Sequence, residues 1–127
     1  LAQYLLAVDR NNGRVASLYD ELHPAVLRAV AEVAEAGARQ GTPVSICGSM
    51  AGEPAVAPLL LALGFEGLAM SSGRLLRVKR VLRTMPLTAS KALLDAVLVC
   101  ETPAAVRGLI NAEMDRYGLG GLIRAGG

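Results

Sequence analysis

The sequence predicts an α/β fold built on a parallel β/α unit, and three observations carry that expectation. Two short apolar segments, residues 44–47 and 67–70, each lead through a glycine-bearing turn into a stretch of helical periodicity. Only helical patterns follow them in the last third of the chain. Hydrophobic residues make up 53% of the sequence, much of it Ala, Leu and Val, which suits helices and parallel strands covered on both faces. The order strand, loop, helix, strand, loop, helix implies a right-handed crossover. A length of 127 residues supplies one domain with one core.

Each element has its own signal. Residues 1–8 are apolar and run into Asp9-Arg10-Asn11-Asn12-Gly13, a cluster of turn formers. His23-Pro24 opens a long helix with Pro at its first position. Val26, Leu27, Val30, Val33 and Ala34 recur along it at three- and four-residue spacing, and Gly41 closes it. Residues 44–47 read as an interior strand. A helix over about 55–63 stops at Gly64, and Pro58 requires it to start late or to kink. Residues 67–70 form the second interior strand, ended by Ser71-Ser72-Gly73. The helix over 75–83 places Leu75, Val78 and Leu82 on one face and Arg74, Arg77 and Arg80 toward the other. After Pro86, one helix capped by Thr88 or Ser90 runs to about Val99. Another has Thr102 as N-cap, Pro103 at its first position and Gly118 beyond its end, with Val106, Leu109, Ile110 and Met114 inward. The tail 118–127 is rich enough in glycine to argue against a helix. Two strands are too few to protect both edges of a sheet, so the fold is expected to be part of something larger.

Composition narrows the function classes. Thirteen basic and eleven acidic residues, interspersed and giving a net charge of +2, make no nucleic-acid surface. One Phe and no Trp leave few platforms for stacking bases. The longest apolar run, residues 54–65, falls short of the roughly 20 residues of a membrane span. No signal peptide is visible, and a start at Leu1 is expected of a processed or excerpted segment. Cys47 and Cys100 are distant in sequence and form no Cys-x-x-Cys pair, which makes a reducing cytoplasm the default.

The stretch Pro43-Val44-Ser45-Ile46-Cys47-Gly48-Ser49-Met50-Ala51-Gly52 carries the candidate chemistry. An apolar segment ends on a thiol and opens into a glycine-rich turn, and in parallel α/β proteins the loops at the carboxyl ends of strands hold the ligand. A buried structural cysteine and a redox-sensing thiol are the other readings of Cys47, the latter without a resolving cysteine nearby in sequence. Arg10 reads on its own as a solvated loop arginine beside Asp9. His23 reads as a helix-start residue before Pro24.

Together, Ala2-Gln3-Tyr4-Leu5-Leu6-Ala7-Val8-Asp9-Arg10-Asn11-Asn12, Leu22-His23-Pro24-Ala25-Val26-Leu27-Arg28, Cys47-Gly48-Ser49-Met50-Ala51-Gly52 and Gly120-Gly121-Leu122-Ile123-Arg124 resemble the C-terminal part of enzyme I of the bacterial phosphotransferase system. The nitrogen-related branch of that family is the most similar, and the cysteine motif is shared more widely among phosphoenolpyruvate-utilising enzymes. The resemblance implies the C-terminal part, roughly half, of a (β/α)8 TIM barrel over residues 1–127, with a helical extension from about residue 86. It implies phosphoenolpyruvate as substrate, an HPr-like phosphocarrier protein as partner, a homodimer, and nitrogen-linked regulation. Cys47 matches the family's proton donor, and Arg10 matches an arginine that holds phosphoenolpyruvate. A thiol is largely protonated at neutral pH and can reach an sp² carbon, and a guanidinium forks onto phosphate or carboxylate oxygens. The family's Mg2+ is held by carboxylates that lie outside this chain, and its phosphoryl-accepting histidine motif is not found here, so His23 is not that residue. Many family members carry Glu directly after the Cys-Gly pair, where this chain has Ser49. The alternative reading of the isolated chain is a non-catalytic dimerisation or structural module.

Overall fold

The computed structural model describes residues 1–124. It is a helix-rich arrangement around one small parallel sheet. Helix α1 (Ala2–Leu5) is followed by a loop containing a 3₁₀ turn at Ala16–Leu18, then by the long helix α2 (Pro24–Gln40). Strand β1 (Ser45–Cys47), a second 3₁₀ turn (Met50–Gly52), helix α3 (Ala57–Ala62) and strand β2 (Gly67–Ala69) form the β/α/β unit. Helices α4 (Ser72–Thr84), α5 (Leu87–Leu98), α6 (Pro103–Arg116) and α7 (Gly120–Arg124) complete the chain.

Helix boundaries follow local chemistry. The imidazole Nδ1 of His23 accepts from the Ala25 N–H at 3.2 Å, so His23 caps α2 just ahead of Pro24. Thr102 caps α6 in the same way, its hydroxyl accepting from the Ala105 N–H at 3.2 Å. At their C-termini α2, α3 and α6 each pass into a glycine of positive φ, Gly41, Gly64 and Gly118, a conformation that a Cβ disfavours. After α6 the Leu119 N–H donates to the Met114 carbonyl at 2.8 Å and that of Gly118 to Asp115 at 3.0 Å, satisfying carbonyls that the helix leaves open.

The strands run parallel, with Ser45 opposite Gly67, Ile46 opposite Leu68 and Cys47 opposite Ala69. Among the described residues the sheet has these two strands and no closed barrel. They were expected to be interior, yet Ser45 and Cys47 are exposed and Ile46 is only half-buried. With one neighbour each, the strands leave their outer edges and part of their faces uncovered.

The core lies among the helices. Leu59 and Leu60 of α3, Val97 of α5, and Val106, Ile110 and Met114 of α6 are almost entirely buried in one cluster with Val26 and Val30 of α2. Removing this apolar surface from water, at roughly 25 cal/mol per Å², is the main stabilising contribution available to the fold. Four expectations need correction, the first being Leu109, which was expected inward on α6 and is exposed. Helix α4 buries Val78 of its expected apolar face together with Val81, while Leu82 is half-buried and Leu75 exposed, so that face is only partly covered. Neither Thr88 nor Ser90 caps α5: Pro86 holds the cap position, and buried Ser90 donates back to the Pro86 carbonyl at 3.2 Å from within the helix. The glycine-rich tail does form a helix, α7, packed on α6 and preceded by the fully buried Leu119. Residues 125–127 of the same tail lie outside the described residues.

Candidate active site

Two loops, together with α1, α2 and β1, line a cavity of about 260 Å³. This lies below the roughly 300–1,000 Å³ of pockets for drug-sized ligands, a scale suited to a small metabolite. Leu1, Ala2, Val26, Val30 and Ile46 form its apolar wall, and Arg10, Tyr19, Glu21, Cys47 and Ser49 supply the polar groups.

The first loop leaves α1 through Ala7, whose φ of 51° turns the chain sharply, while Ala2 and Val8 anchor it in the interior. Asp9 then organises the turn, its Oδ1 accepting from the Asn11 N–H at 2.9 Å, and Gln3 Oε1 accepts from the Arg10 N–H at 2.9 Å. Arg10 is thus held by its backbone while its exposed side chain reaches the cavity. The second loop leaves β1. Cys47, Gly48 and Ser49 are exposed, whereas Met50, Ala51 and Gly52 are buried in the following 3₁₀ turn. The buried half anchors the loop and the exposed half faces the cavity. Gly48 turns the chain within the exposed half at a φ of 94°.

The two residues singled out from sequence, Arg10 and Cys47, therefore line one cavity although 36 residues separate them (47 − 10 − 1). His23 stands apart as the cap of α2, and Cys100 sits half-buried near the end of α5 with its Sγ 3.4 Å from the Ala96 carbonyl. Sequence reasoning passed over Tyr19 and Glu21. The Tyr19 hydroxyl donates to Glu21 Oε1 at 2.8 Å, and the Ser49 hydroxyl donates to the same oxygen. Partial burial, and next the hydrogen bond to the Glu21 carboxylate, push the Tyr19 phenol above its ordinary range, while the nearby Arg10 guanidinium pulls it down. A carboxylate thus stands at Ser49 after all, brought from another loop. The only signal in the sequence was an acidic pair, Asp20-Glu21, ahead of the helix start.

Glu21 is the single carboxylate among the described residues lining the cavity, and no group of three or more His, Cys, Asp or Glu side chains gathers among the described residues. These residues do not by themselves fit a magnesium ion, which favours several oxygen ligands in octahedral array. What they can do is bind an anion through a guanidinium and present a thiol beside it.

The sequence pattern of the family described as PEP-utilising enzyme, PEP-binding domain, matches residues 1–87. The chain belongs to that family of phosphoenolpyruvate-utilising enzymes. It is 44% identical over 126 residues to a protein of Salmonella typhimurium named for the phosphoenolpyruvate-dependent phosphotransferase system, an alignment covering 99% of this chain and 17% of the relative. It is 43% identical over 103 residues to the phosphoenolpyruvate-protein phosphotransferase of Cupriavidus necator, covering 81% of this chain and 18% of that protein. A multiphosphoryl transfer protein of Escherichia coli O6:H1 is 39% identical over 112 residues, covering 88% of this chain and 14% of its own length. The chain thus spans less than a fifth of the length of these relatives.

Proposed function

We propose that this chain is the C-terminal part of the phosphoenolpyruvate-binding barrel of an enzyme I type phosphotransferase, and that its cavity is half of the substrate site. The observation that carries the reading is that Arg10 and Cys47, which approach from separate loops, line the same cavity at the carboxyl end of β1. The matched family and the names of the relatives support the choice of phosphoenolpyruvate. Arg10 would hold the anion through phosphate or carboxylate oxygens. When the phosphorus–oxygen bond breaks and the phosphoryl group leaves for an enzyme histidine outside this chain, the enolpyruvate left behind needs a proton on its methylene carbon. Cys47 would give that proton from Sγ, forming pyruvate and leaving a thiolate that solvent reprotonates. The phosphoryl group would pass on to an HPr-like phosphocarrier protein.

Magnesium, in this reading, is bound by carboxylates that other parts of the enzyme supply. The parent is a cytoplasmic homodimer of the nitrogen-related branch, and among the described residues no helix is long and apolar enough to cross a membrane. In the phosphotransferase that contains this chain, Cys47→Ala is expected to abolish turnover of phosphoenolpyruvate with the helical circular dichroism unchanged. Wild-type turnover in that variant would remove Cys47 from the chemistry.

A second reading rests on the sheet. Two strands with unpaired outer edges among the described residues favour a dimerisation role for the isolated chain, with further strands supplied by a second copy. Light scattering tests it: a ligand-independent dimer supports the reading, and a monomer at high concentration removes it.

A further inference from the structure

Glu21 is not one of the residues to which the family resemblance assigns a role, yet it stands where the two loops of the cavity meet. Its Oε1 accepts hydrogen bonds from the Tyr19 hydroxyl at 2.8 Å and from the Ser49 hydroxyl, which lies 28 residues away in sequence. We propose that Glu21 is a positioning residue that clamps the loop carrying Cys47 to the loop carrying Tyr19, holding the thiol toward the Arg10 side of the cavity. This rests on the reading of Cys47 given above for its purpose, but the clamp itself is a property of the ligand-free protein.

The geometry shows why a clamp is needed and why it is firm. Cys47 is joined to Ser49 only through Gly48, the least restricted residue type, and all three are exposed. The buried Met50 and Ala51 fix the far end of the turn but not the orientation of Cys47. A hydrogen bond at Ser49 closes that freedom from the near side. Its acceptor is charged, and hydrogen bonds to charged groups are about twice as strong as neutral ones. The acceptor's own loop is pinned from outside the cavity, because Asp20 is bonded by Arg107 at 2.7 Å. Two hydroxyl donors on one oxygen also satisfy a carboxylate that would otherwise stand unpaired beside a site for an anion. The clamp thus runs from Arg10, beside the Tyr19 phenol, through Glu21 to the loop of the thiol.

The test uses the 127-residue chain carrying Cys100→Ser, so that Cys47 is its one thiol, without ligand. The rate of Cys47 alkylation by iodoacetamide reads the loop. The ultraviolet titration of Tyr19, taken as the difference from Tyr19→Phe, reads the carboxylate. Glu21→Gln should lower the Tyr19 midpoint, which reports only the carboxylate beside the phenol, while the Ser49 variants read the positioning of the loop. Glu21→Gln and Ser49→Ala should each speed alkylation by roughly threefold or more, and the double variant should do no more than the larger single, as for partners in one hydrogen-bond network. Ser49→Thr, which keeps the hydroxyl, should restore the wild-type rate. Ser49 is exposed, so its variants report even where a change at Glu21 disturbs folding. An unchanged alkylation rate in Ser49→Ala, or effects that multiply in the double variant, would overturn the clamp. Neither outcome depends on phosphoenolpyruvate, so failure of the substrate reading would show separately, as a lack of ligand protection in the wild-type chain.

Discussion

Arg107 on α6 donates to Asp20 Oδ1 at 2.7 Å, tying a helix of the last third of the chain to the loop that supplies Tyr19 and Glu21 to the cavity. The same Asp20 oxygen accepts from the Leu22 N–H at 2.8 Å, so one carboxylate both shapes the turn before α2 and receives the strut from α6. The partners are unequal, because the Arg107 side chain is 53% exposed and that of Asp20 only 20%. Arg107→Ala should therefore cost about 0.2–1 kcal/mol, the range of solvent-exposed pairs. Asp20→Ala should cost about 1–2 kcal/mol, because the turn's hydrogen bond is lost as well. Urea unfolding of the two variants checks the order, and a larger loss in Arg107→Ala would contradict it.

Tyr19 gives the fold an alkaline signature. Burial and the Glu21 carboxylate raise its phenol above the ordinary value of about 10, so the folded chain keeps this proton at a pH where the unfolded chain has lost it. The unfolded state then binds fewer protons than the folded one, and stability must fall as pH rises from the ordinary phenol pKa through the raised one. Below that window the contribution is fully present. Comparing unfolding free energies between neutral and strongly alkaline pH, the wild-type chain should lose more stability than Tyr19→Phe. Parallel pH profiles would show that the phenol is not perturbed.

Two helical glycines should respond to alanine with opposite signs. Gly37 is buried in α2 where the segment leading into β1 approaches, and a Cβ there would overlap the Val44 side chain and lie 3.0 Å from the Thr42 carbonyl. Gly37→Ala should destabilise by about 1–3 kcal/mol, as overpacking does. Gly108 in α6 has open space around its Cα, so Gly108→Ala should stabilise by about 0.5–1 kcal/mol through backbone entropy. Thermal unfolding of both variants in one buffer decides the pair.

The sequence was most readable where the determinants were local. His23-Pro24 and Thr102-Pro103 announced α2 and α6, and Gly41, Gly64 and Gly118 marked helix ends, because caps and positive φ are settled within a few residues. It was least readable where a distant neighbour decides. The buried face of α4 depends on which helix lies beside it, and the exposure of β1 depends on strands that would flank it. The tail helix α7 formed against composition because Leu119 is buried and Leu122 packs on the core. The Cys47 thiol and Arg10 guanidinium that line the cavity were singled out from motifs, whereas Glu21 was not, since its bond to Ser49 joins two loops that no local pattern connects.

The most direct test of the central claim is the alkylation rate of Cys47 in the Cys100→Ser chain, measured with and without millimolar phosphoenolpyruvate and repeated with Arg10→Ala. If Arg10 and Cys47 form half of a phosphoenolpyruvate site, the ligand should slow alkylation in the wild-type background, and the protection should vanish or weaken by roughly tenfold without Arg10, the loss of about one charge-assisted contact. A rate indifferent to phosphoenolpyruvate, or protection that survives intact in Arg10→Ala, would contradict it.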